Sequence, residues 1–422
     1  MTWEDAPARE EHDSVMEPHS VLVTVTGRDR PGVTSALFAA LAGHDVEVLD
    51  VEQVVIRGRL VLGVLVALHG EPGSLRRVVN ACCDALGMES EVLVADPPLR
   101  EPGVRVRRSD RHHVIVLGRP LRAGAVGEVA HRIADLGGNI DTISRLSHYP
   151  VTSLELMVSG ADPGTLRSAL VTAATETGID IAVERAGLHR RAKRLLVLDV
   201  DSTLIRGEVI EMLAAYAGCA AEVSAVTARA MAGEMDFAES LRARVALLAG
   251  LPADTLESVR STIELGLGAR TLVRTLKRMG YRIGIVSGGF SQVVDGLAAD
   301  LGLDFAAANT LEIADGVLTG RVVGEVLDRA GKARALVRFA EQYGVPLSQT
   351  VAVGDGANDI DMLNSAGLGI AFNAKPVVQA AADTALSQPY LDAILFILGI
   401  SRDEVEAADA EDLAAGGVIP PD

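Results

Sequence analysis

The chain has 422 residues, 49% of them hydrophobic, and a formal net charge of −18. This length predicts two or three domains, with enough apolar residues to bury several cores. The acidic charge excludes general binding to nucleic acids or anionic membranes, because like charges repel each other, but it leaves room for a local basic pocket. An odd count of three cysteines without regular spacing indicates free thiols in a reducing compartment, so we expect a cytoplasmic protein.

We expect neither a signal peptide at the N-terminus nor a membrane span in the apolar stretches of the chain. Residues 1–19 are acidic, lack the basic and apolar regions of a signal peptide, and are predicted to form a flexible tail. The apolar stretches 60–68 and 391–400 are shorter than the about twenty residues that cross a bilayer. Residues 401–422 are acidic and rich in alanine and glycine, and we expect them to be poorly ordered.

The first half of the chain repeats one order of elements. Residues 20–96 alternate strand-like and helical patterns in the order βαββαβ, and residues 112–185 do so again. Between them, residues 97–111 are rich in proline and arginine and indicate a linker. Repetition of the whole unit predicts two small α+β domains with a ferredoxin-like order of elements.

The two copies resemble ACT domains, which are small ligand-sensing modules attached to enzymes of amino-acid metabolism. In the first copy the resemblance includes the turn Asp29-Arg30-Pro31-Gly32, whose amides open a helix and suit a carboxylate. The resemblance implies serine as a feedback ligand there, and a homodimer formed through the sheets. The second copy departs from this turn, because residues 118–124 read GRPLRAG. A strand-to-helix turn without any ligand is the alternative in both copies, and it is favoured in the second.

From Arg194 onward, strands and helices alternate, which predicts a parallel sheet covered by helices on both faces. Short apolar strands are predicted at 195–198, 282–286, 350–353 and 368–372. Ligands of such sheets bind at the carboxyl ends of the strands. Three of these strands run into polar turns, which are Asp199-Val200-Asp201-Ser202-Thr203, Ser287-Gly288-Gly289 and Gly354-Asp355-Gly356-Ala357-Asn358-Asp359.

These turns together predict a site for a phosphate group and a hard cation. Asp199 and Asp201 place two carboxylates after one strand, and a cation would offset their repulsion. The hydroxyl and loop amides of residues 287–289 suit phosphate oxygens, and Lys332 could balance phosphate charge. Each feature alone has an ordinary explanation as a helix cap, a turn or a solvated lysine. Their joint occurrence in this order favours the phosphate site.

In this combination the residues resemble the four signature motifs of haloacid-dehalogenase-type phosphohydrolases, over about residues 194–400. The resemblance implies a Rossmann-like core and an aspartyl-phosphate formed on the nucleophile Asp199. It implies that Asp201 is the general acid and base, and that Ser287 and Lys332 hold the phosphoryl group. Mg²⁺ is the implied cofactor, with Asp199, Asp355 and the backbone carbonyl of Asp201 as its ligands and Asp359 as outer support.

Residues 208–261 are mainly helical, and the resemblance implies a helical cap that closes over a small substrate. The stretch 235–245, MDFAESLRARV, resembles phosphoserine phosphatases, so the implied substrate is phosphoserine and the implied pathway step is the last one of serine biosynthesis. Glu208 would bind its ammonium and Arg244 its carboxylate. The alternative is that both are exposed helix charges. The residues assigned to substrate binding are Glu208, Met231, Phe237, Arg244, Ser287, Gly288, Lys332 and Asn358.

Two other functions remain open. One is a phosphatase of the same fold that acts on another small phosphomonoester or on a phosphoprotein. The other is an amino-acid-binding regulatory protein with an inactive phosphatase domain. The presence of every signature residue speaks against the second.

Overall fold

The computed structural model describes residues 18–95, 111–231 and 234–420, which divide into two compact units. The predicted tail 1–19 and linker 97–111 lie almost wholly outside the described residues. The first unit is a four-stranded antiparallel sheet with the strand order β2-β3-β1-β4. Its elements are β1 (His19–Arg28), α1 (Val33–Leu41), β2 (Val46–Ile56), β3 (Arg59–Leu68), α2 (Pro72–Ala85) and β4 (Glu89–Ala95).

Buried and less buried residues alternate along β1, and this alternation explains how the sheet packs against its two helices. Val21, Val23 and Val25 are fully buried and pack with Leu37 of α1 and Leu75 of α2. Successive side chains of a strand point to opposite faces, so one face of β1 builds the core. The edge strand β2 differs, because all its residues after Val46 are exposed.

The second unit begins with another sheet of the same topology, with the strand order β6-β7-β5-β8 and antiparallel pairing throughout. Both predicted βαββαβ copies are therefore confirmed as folded sheets. The elements of the second copy are β5 (His112–Gly118), α3 (Ala123–Asp135), β6 (Asn139–Ser147), β7 (Thr152–Ser159), α4 (Pro163–Thr177) and β8 (Asp180–Arg185), and the short helix α5 (Leu188–Arg191) follows.

The rest of the second unit contains a seven-stranded sheet in the order β12-β11-β10-β9-β13-β14-β15, parallel except for β12. Its central strand β9 is apolar and fully buried, as a strand covered on both faces must be. The strands are β9 (Leu195–Leu198), β10 (Arg282–Phe290), β11 (Phe305–Ala314), β12 (Val317–Val323), β13 (Thr350–Gly354), β14 (Gly369–Phe372) and β15 (Thr384–Leu386).

Helices cover this sheet and form the predicted cap. The cap helices are α6 (Val209–Ala217), α7 (Ala220–Met231), α8 (Phe237–Ala246) and α9 (Thr255–Thr262). The others are α10 (Ala269–Arg278), α11 (Ser291–Asp300), α12 (Arg329–Gln342), α13 (Ile360–Ser365), α14 (Pro376–Ala381), α15 (Ala393–Ile397) and α16 (Arg402–Ala414). Among the described residues, none of the helices has both the length and the apolar character of a membrane span.

The prediction of poor order after Ser401 is wrong for residues 402–414, which form α16. Ser401 and Glu404 form a capping box at its start. Asp409 accepts hydrogen bonds from Arg274 at 2.8 Å and from Arg278 at 2.6 Å, both on α10. Two of the acidic side chains that suggested disorder, Asp409 and Asp412, therefore pair with arginines about 130 positions earlier, which no local pattern reveals.

The second copy of the repeat is joined to the edge of the large sheet. Thr384 Oγ1 of β15 donates a hydrogen bond to the carbonyl of Ile181 in β8 at 3.0 Å. The amide of Ser387 donates to the carboxylate of Asp180 at 2.9 Å. Arg167 of α4 adds a hydrogen bond to the Asp383 carboxylate at 2.9 Å. The strand β15 was not predicted, because it has only three residues.

Candidate active site

The parallel sheet brings the three polar turns together. β9 lies between β10 and β13, and the amide of Asp199 donates to the carbonyl of Val353 on β13 at 2.8 Å. Residues of all three turns line one cavity of about 750 Å³, together with side chains of the cap. One difference from the prediction is local, because Ser287, Gly288 and Gly289 continue β10 and do not leave it as a turn.

Lys332 lies at the centre of the acidic cluster. Its Nζ donates to Asp199 Oδ1 at 2.7 Å and to Asp359 Oδ1 at 2.6 Å, and all three side chains are almost fully buried. Burial and the neighbouring Asp359 hold the pKa of Asp199 well above its usual range, and Lys332 opposes this rise. α12 presents the lysine from its first turn, where Asp328 caps the helix by accepting from the amide of Gly331 at 2.7 Å.

Asp201 is oriented by two hydrogen bonds of its own. Its Oδ1 accepts from the amide of Val209 at 2.8 Å, and its Oδ2 accepts from Ser287 Oγ at 3.3 Å. Burial raises its pKa. A side chain at position 289 would place Cβ 3.1 Å from Asp201 Oδ2 and 2.9 Å from Ser287 Oγ, so Gly289 keeps room for this pair.

The acidic groups fit a hard divalent cation. Oxygens of Asp199, Asp355 and Asp359 lie within 4.8 Å of one another. Thr203 Oγ1 donates to Asp355 Oδ1 at 3.2 Å, and burial raises the pKa of Asp355 to about 6. These three carboxyl groups lie near one ammonium group, that of Lys332, so the buried cluster has an excess of acidic groups. Carboxylate oxygens are the donors that Mg²⁺ prefers, so the cluster suits that ion.

The cap contributes charged and apolar side chains to the same cavity, including Glu208, Phe237 and Arg244. Arg244 is only 9% exposed, and burial lowers its pKa. Burial raises the pKa of Glu208. The alternative of two exposed helix charges is therefore wrong. Phe237 lies against the backbone of Gly288, where an added Cβ would stand 3.0 Å from the ring.

Two other predicted substrate residues have different outcomes. Asn358 lines the cavity next to Asp355. The side chain of Met231 lies outside the part of the chain that the structure describes.

Asn309 is a site-supporting residue that sequence reasoning missed. Its Nδ2 donates to the carbonyl of Gly288 at 2.8 Å, and its Oδ1 accepts from the amide of Leu327 at 2.7 Å. It is 3% exposed at the end of an apolar stretch of β11, and an asparagine there is the signal that could have identified it.

The predicted regulatory turn belongs to the first unit. Asp29, Arg30, Pro31 and Gly32 are exposed and lead into α1. Gly32 has a φ of 99°, a left-handed conformation that glycine adopts without strain.

The family comparisons agree with this division of the chain. The profile of haloacid dehalogenase-like hydrolases matches residues 193–367. Two ACT domain profiles match residues 19–92 and 110–184.

Two relatives match nearly the whole chain, and a solved structure matches most of it. A phosphoserine phosphatase of Streptomyces coelicolor is 58% identical, over 94% of this chain and 97% of that protein. One of Mycobacterium tuberculosis is 57% identical, over 96% of this chain and 99% of that protein. The crystal structure of a probable phosphoserine phosphatase from Vibrio cholerae is 35% identical, has a TM-score of 0.55, and covers 70% of this chain and 88% of its own.

Proposed function

The chain belongs to the phosphoserine phosphatase family of haloacid dehalogenase-like hydrolases, and on that premise we propose that it hydrolyses O-phospho-L-serine to L-serine and phosphate. One observation carries the proposal. Asp199, which pairs with the buried Lys332, lines the same cavity as Glu208 and Arg244, so phosphate chemistry and amino-acid recognition share one site.

The first half of the reaction transfers the phosphoryl group to Asp199. A carboxylate oxygen of Asp199 attacks phosphorus in line with the seryl oxygen, and the bond from phosphorus to that oxygen breaks. Asp201 gives its proton to the departing oxygen, which leaves as the hydroxyl of serine. Its hydrogen bond from the Val209 amide holds the carboxyl group in position for this transfer.

The second half regenerates the carboxylate. Asp201 takes a proton from water as that water attacks phosphorus, and the bond between phosphorus and the Asp199 oxygen breaks to release phosphate. Lys332, at 2.7 Å from Asp199 Oδ1, balances negative charge on the phosphoryl oxygens in both halves. Ser287 and the backbone amides around Gly288 hold those oxygens in place.

Mg²⁺ is the cofactor that we propose. Asp199, Asp355 and the backbone carbonyl of Asp201 would hold it, and Asp359 would support them. When bound, the ion offsets the charge repulsion between the nucleophile and the anionic substrate. Thr203 orients Asp355 for this role by its hydrogen bond at 3.2 Å.

Substrate choice would come from the cap. Phosphoserine carries an ammonium and a carboxylate besides its phosphate, and Glu208 and Arg244 are the complementary charges in the cavity. Arg244 can pair with a carboxylate through two parallel hydrogen bonds. Phe237, against Gly288, would form an apolar wall between the phosphate and the cap.

Phosphate release from L-phosphoserine with Mg²⁺ tests the proposal, beside a panel of other small phosphomonoesters. We expect a strong preference for phosphoserine and no turnover by Asp199→Asn. Turnover of the whole panel without preference would retain a phosphatase and reject the roles of Glu208 and Arg244. Activity that survives in Asp199→Asn would reject the covalent mechanism.

We further propose that serine binds the turn 29–32 of the first unit and inhibits the enzyme. The exposed turn before α1 offers amides at a helix start, and ACT domains occur in amino-acid-sensing proteins. Titration calorimetry of serine into the full chain tests it. Asp29→Ala is expected to lose the binding heat, and an unchanged isotherm would count against this site.

We also propose a homodimer formed through β2, and a cytoplasmic location in keeping with three free thiols. β2 is an edge strand whose apolar side chains are 42–62% exposed, namely Val48, Leu49, Val51, Val54, Val55 and Ile56. Such an edge pairs readily with another strand. Sedimentation velocity should show a dimer that Val51→Lys with Val55→Lys converts to a monomer.

A further inference from the structure

The second copy of the repeat uses its first turn to contact the catalytic core. At the position of the exposed turn of the first copy it carries Arg119, whose guanidinium carbon lies 5.2 Å from the ring centroid of Tyr390. A cation over an aromatic face is attracted by the ring's electron density. The sequence favoured a turn without a ligand at this position. In the structure this turn contacts an aromatic side chain of the core instead.

Tyr390 pairs with the chain segment that returns from the cap to the core, residues 263–267. Its backbone forms a parallel bridge with Leu267. The amide of the next residue, Leu391, donates to the carbonyl of Leu267 at 2.8 Å, and the Leu391 side chain is fully buried. A Cβ at Gly266 would lie 3.1 Å from Leu391 Cδ1, so the two segments are in close contact.

The same segment forms half of the cap hinge. The chain enters the cap after Ile205 and returns through residues 263–267, and Ile205 pairs with Leu265 in an antiparallel bridge. The amide of Arg206 donates to the carbonyl of Glu264 at 2.9 Å, and the amide of Gly266 donates to that of Leu204 at 2.8 Å.

This hinge is continuous with the site. A Cβ at Gly266 would also lie 3.1 Å from the carbonyl of Thr203, the residue whose hydroxyl orients Asp355. The returning segment 263–267 therefore contacts both the entry to the cap and the turn that carries the catalytic aspartates.

We propose that Arg119 and Tyr390 are positioning residues that brace the cap hinge, so that the second ACT domain holds the cap in register with the core. Neither residue touches the substrate. They act through Leu267 and Gly266 on the backbone of Leu204, one residue beyond the site turn. The kinetic part of the test rests on the proposed function, whereas the exchange part does not.

Amide hydrogen exchange of the full chain tests the brace without any substrate. Exchange of the Arg206 and Gly266 amides requires opening of the hinge hydrogen bonds. Arg119→Gln removes the cation–π contact with Tyr390, and the loss of such a contact shifts an opening equilibrium about two- to fivefold. Exchange over residues 204–207 and 263–268 should therefore accelerate by that factor. Arg119→Lys and Tyr390→Phe keep the cation and the ring, and should retain slow exchange.

Arg167→Gln is the matched control. It removes another contact between the same domain and the core, the hydrogen bonds to Asp383, whose backbone partner is Gly369 and not the hinge. We expect unchanged exchange at the hinge in this variant. Equal acceleration in both variants would mean general loosening of the domain and would overturn the proposal.

Kinetics give the second readout. A loosened hinge should lower kcat/KM for phosphoserine about two- to fivefold in Arg119→Gln, because the cap must close on its ammonium and carboxylate. p-Nitrophenyl phosphate lacks both groups, so its turnover should change less.

The double variant Tyr390→Leu with Arg119→Gln should have a kcat/KM for phosphoserine no lower than that of either single variant, because both changes remove the same contact. Unchanged exchange and unchanged phosphoserine kinetics in Arg119→Gln would refute the brace. A wild type inactive on phosphoserine would reject only the proposed substrate, because the exchange test still decides on the brace.

Discussion

Replacement of Asp180 by asparagine should change how stability depends on pH. This carboxylate is 4% exposed where β8 meets the core, and one of its oxygens accepts from the amide of Ser387 at 2.9 Å. Burial raises its pKa from 3.8 to about 6, against the opposing hydrogen bond from Ser387. An asparagine has the same shape and can accept the same hydrogen bond, but it cannot ionise.

The size and sign of the effect follow from the pKa difference. Between pH 3.8 and about 6 the folded protein keeps a proton at Asp180 that the unfolded chain has lost. Stability from this group is therefore fully present below pH 3.8 and is lost as pH rises through 6. A difference of about two units corresponds to about 3 kcal/mol in the free energy of unfolding. Relative to wild type, Asp180→Asn should gain about 2 kcal/mol of this between pH 4 and pH 7, because the rest of the change occurs below pH 4.

Urea unfolding of wild type and variant at a series of pH values measures this change. The asparagine amide changes the free energy of unfolding by a constant amount at every pH. This amount cancels, because only the pH dependence of the difference between variant and wild type is compared. Glu341→Gln, which replaces an exposed carboxylate on α12, is the control and should give a flat difference. A flat difference for Asp180→Asn as well would refute the view that burial raises the pKa of this carboxylate.

Three further outcomes are expected. Arg244→Ala should raise KM for phosphoserine at least tenfold, since a charged hydrogen bond contributes about 1.5–3 kcal/mol, and an unchanged KM would contradict its role. Thr203→Val should weaken Mg²⁺ activation, seen as a higher Mg²⁺ concentration for half-maximal phosphate release, because Asp355 loses its orienting hydrogen bond. Gly268→Ala should lower the melting temperature sharply, because its φ is 76° and an added Cβ would lie 2.3 Å from Asp392 Oδ1; a normal melting curve would contradict this.

Much of the fold could be predicted because its signals are local. The two βαββαβ copies follow from alternating and helical periodicity, and the catalytic sheet from short apolar strands that end in polar turns. Prediction was poorest where long-range partners decide. The helix α16 was missed because Arg274 and Arg278, which pair with two of its acidic side chains, lie far along the chain, and β15 because three residues carry no periodicity.

At the site, the residue types and their chain order determined the chemistry to expect from Asp199, Asp201, Ser287 and Lys332. Distances were beyond the sequence, because only the order of strands in the sheet decides which turns become neighbours. Tertiary structure alone showed that Lys332 bridges two carboxylates, one of them Asp359, 27 residues later. It alone placed Arg119 over Tyr390, since a contact between residues this far apart depends on how two domains pack, and periodicity within either domain does not contain that information.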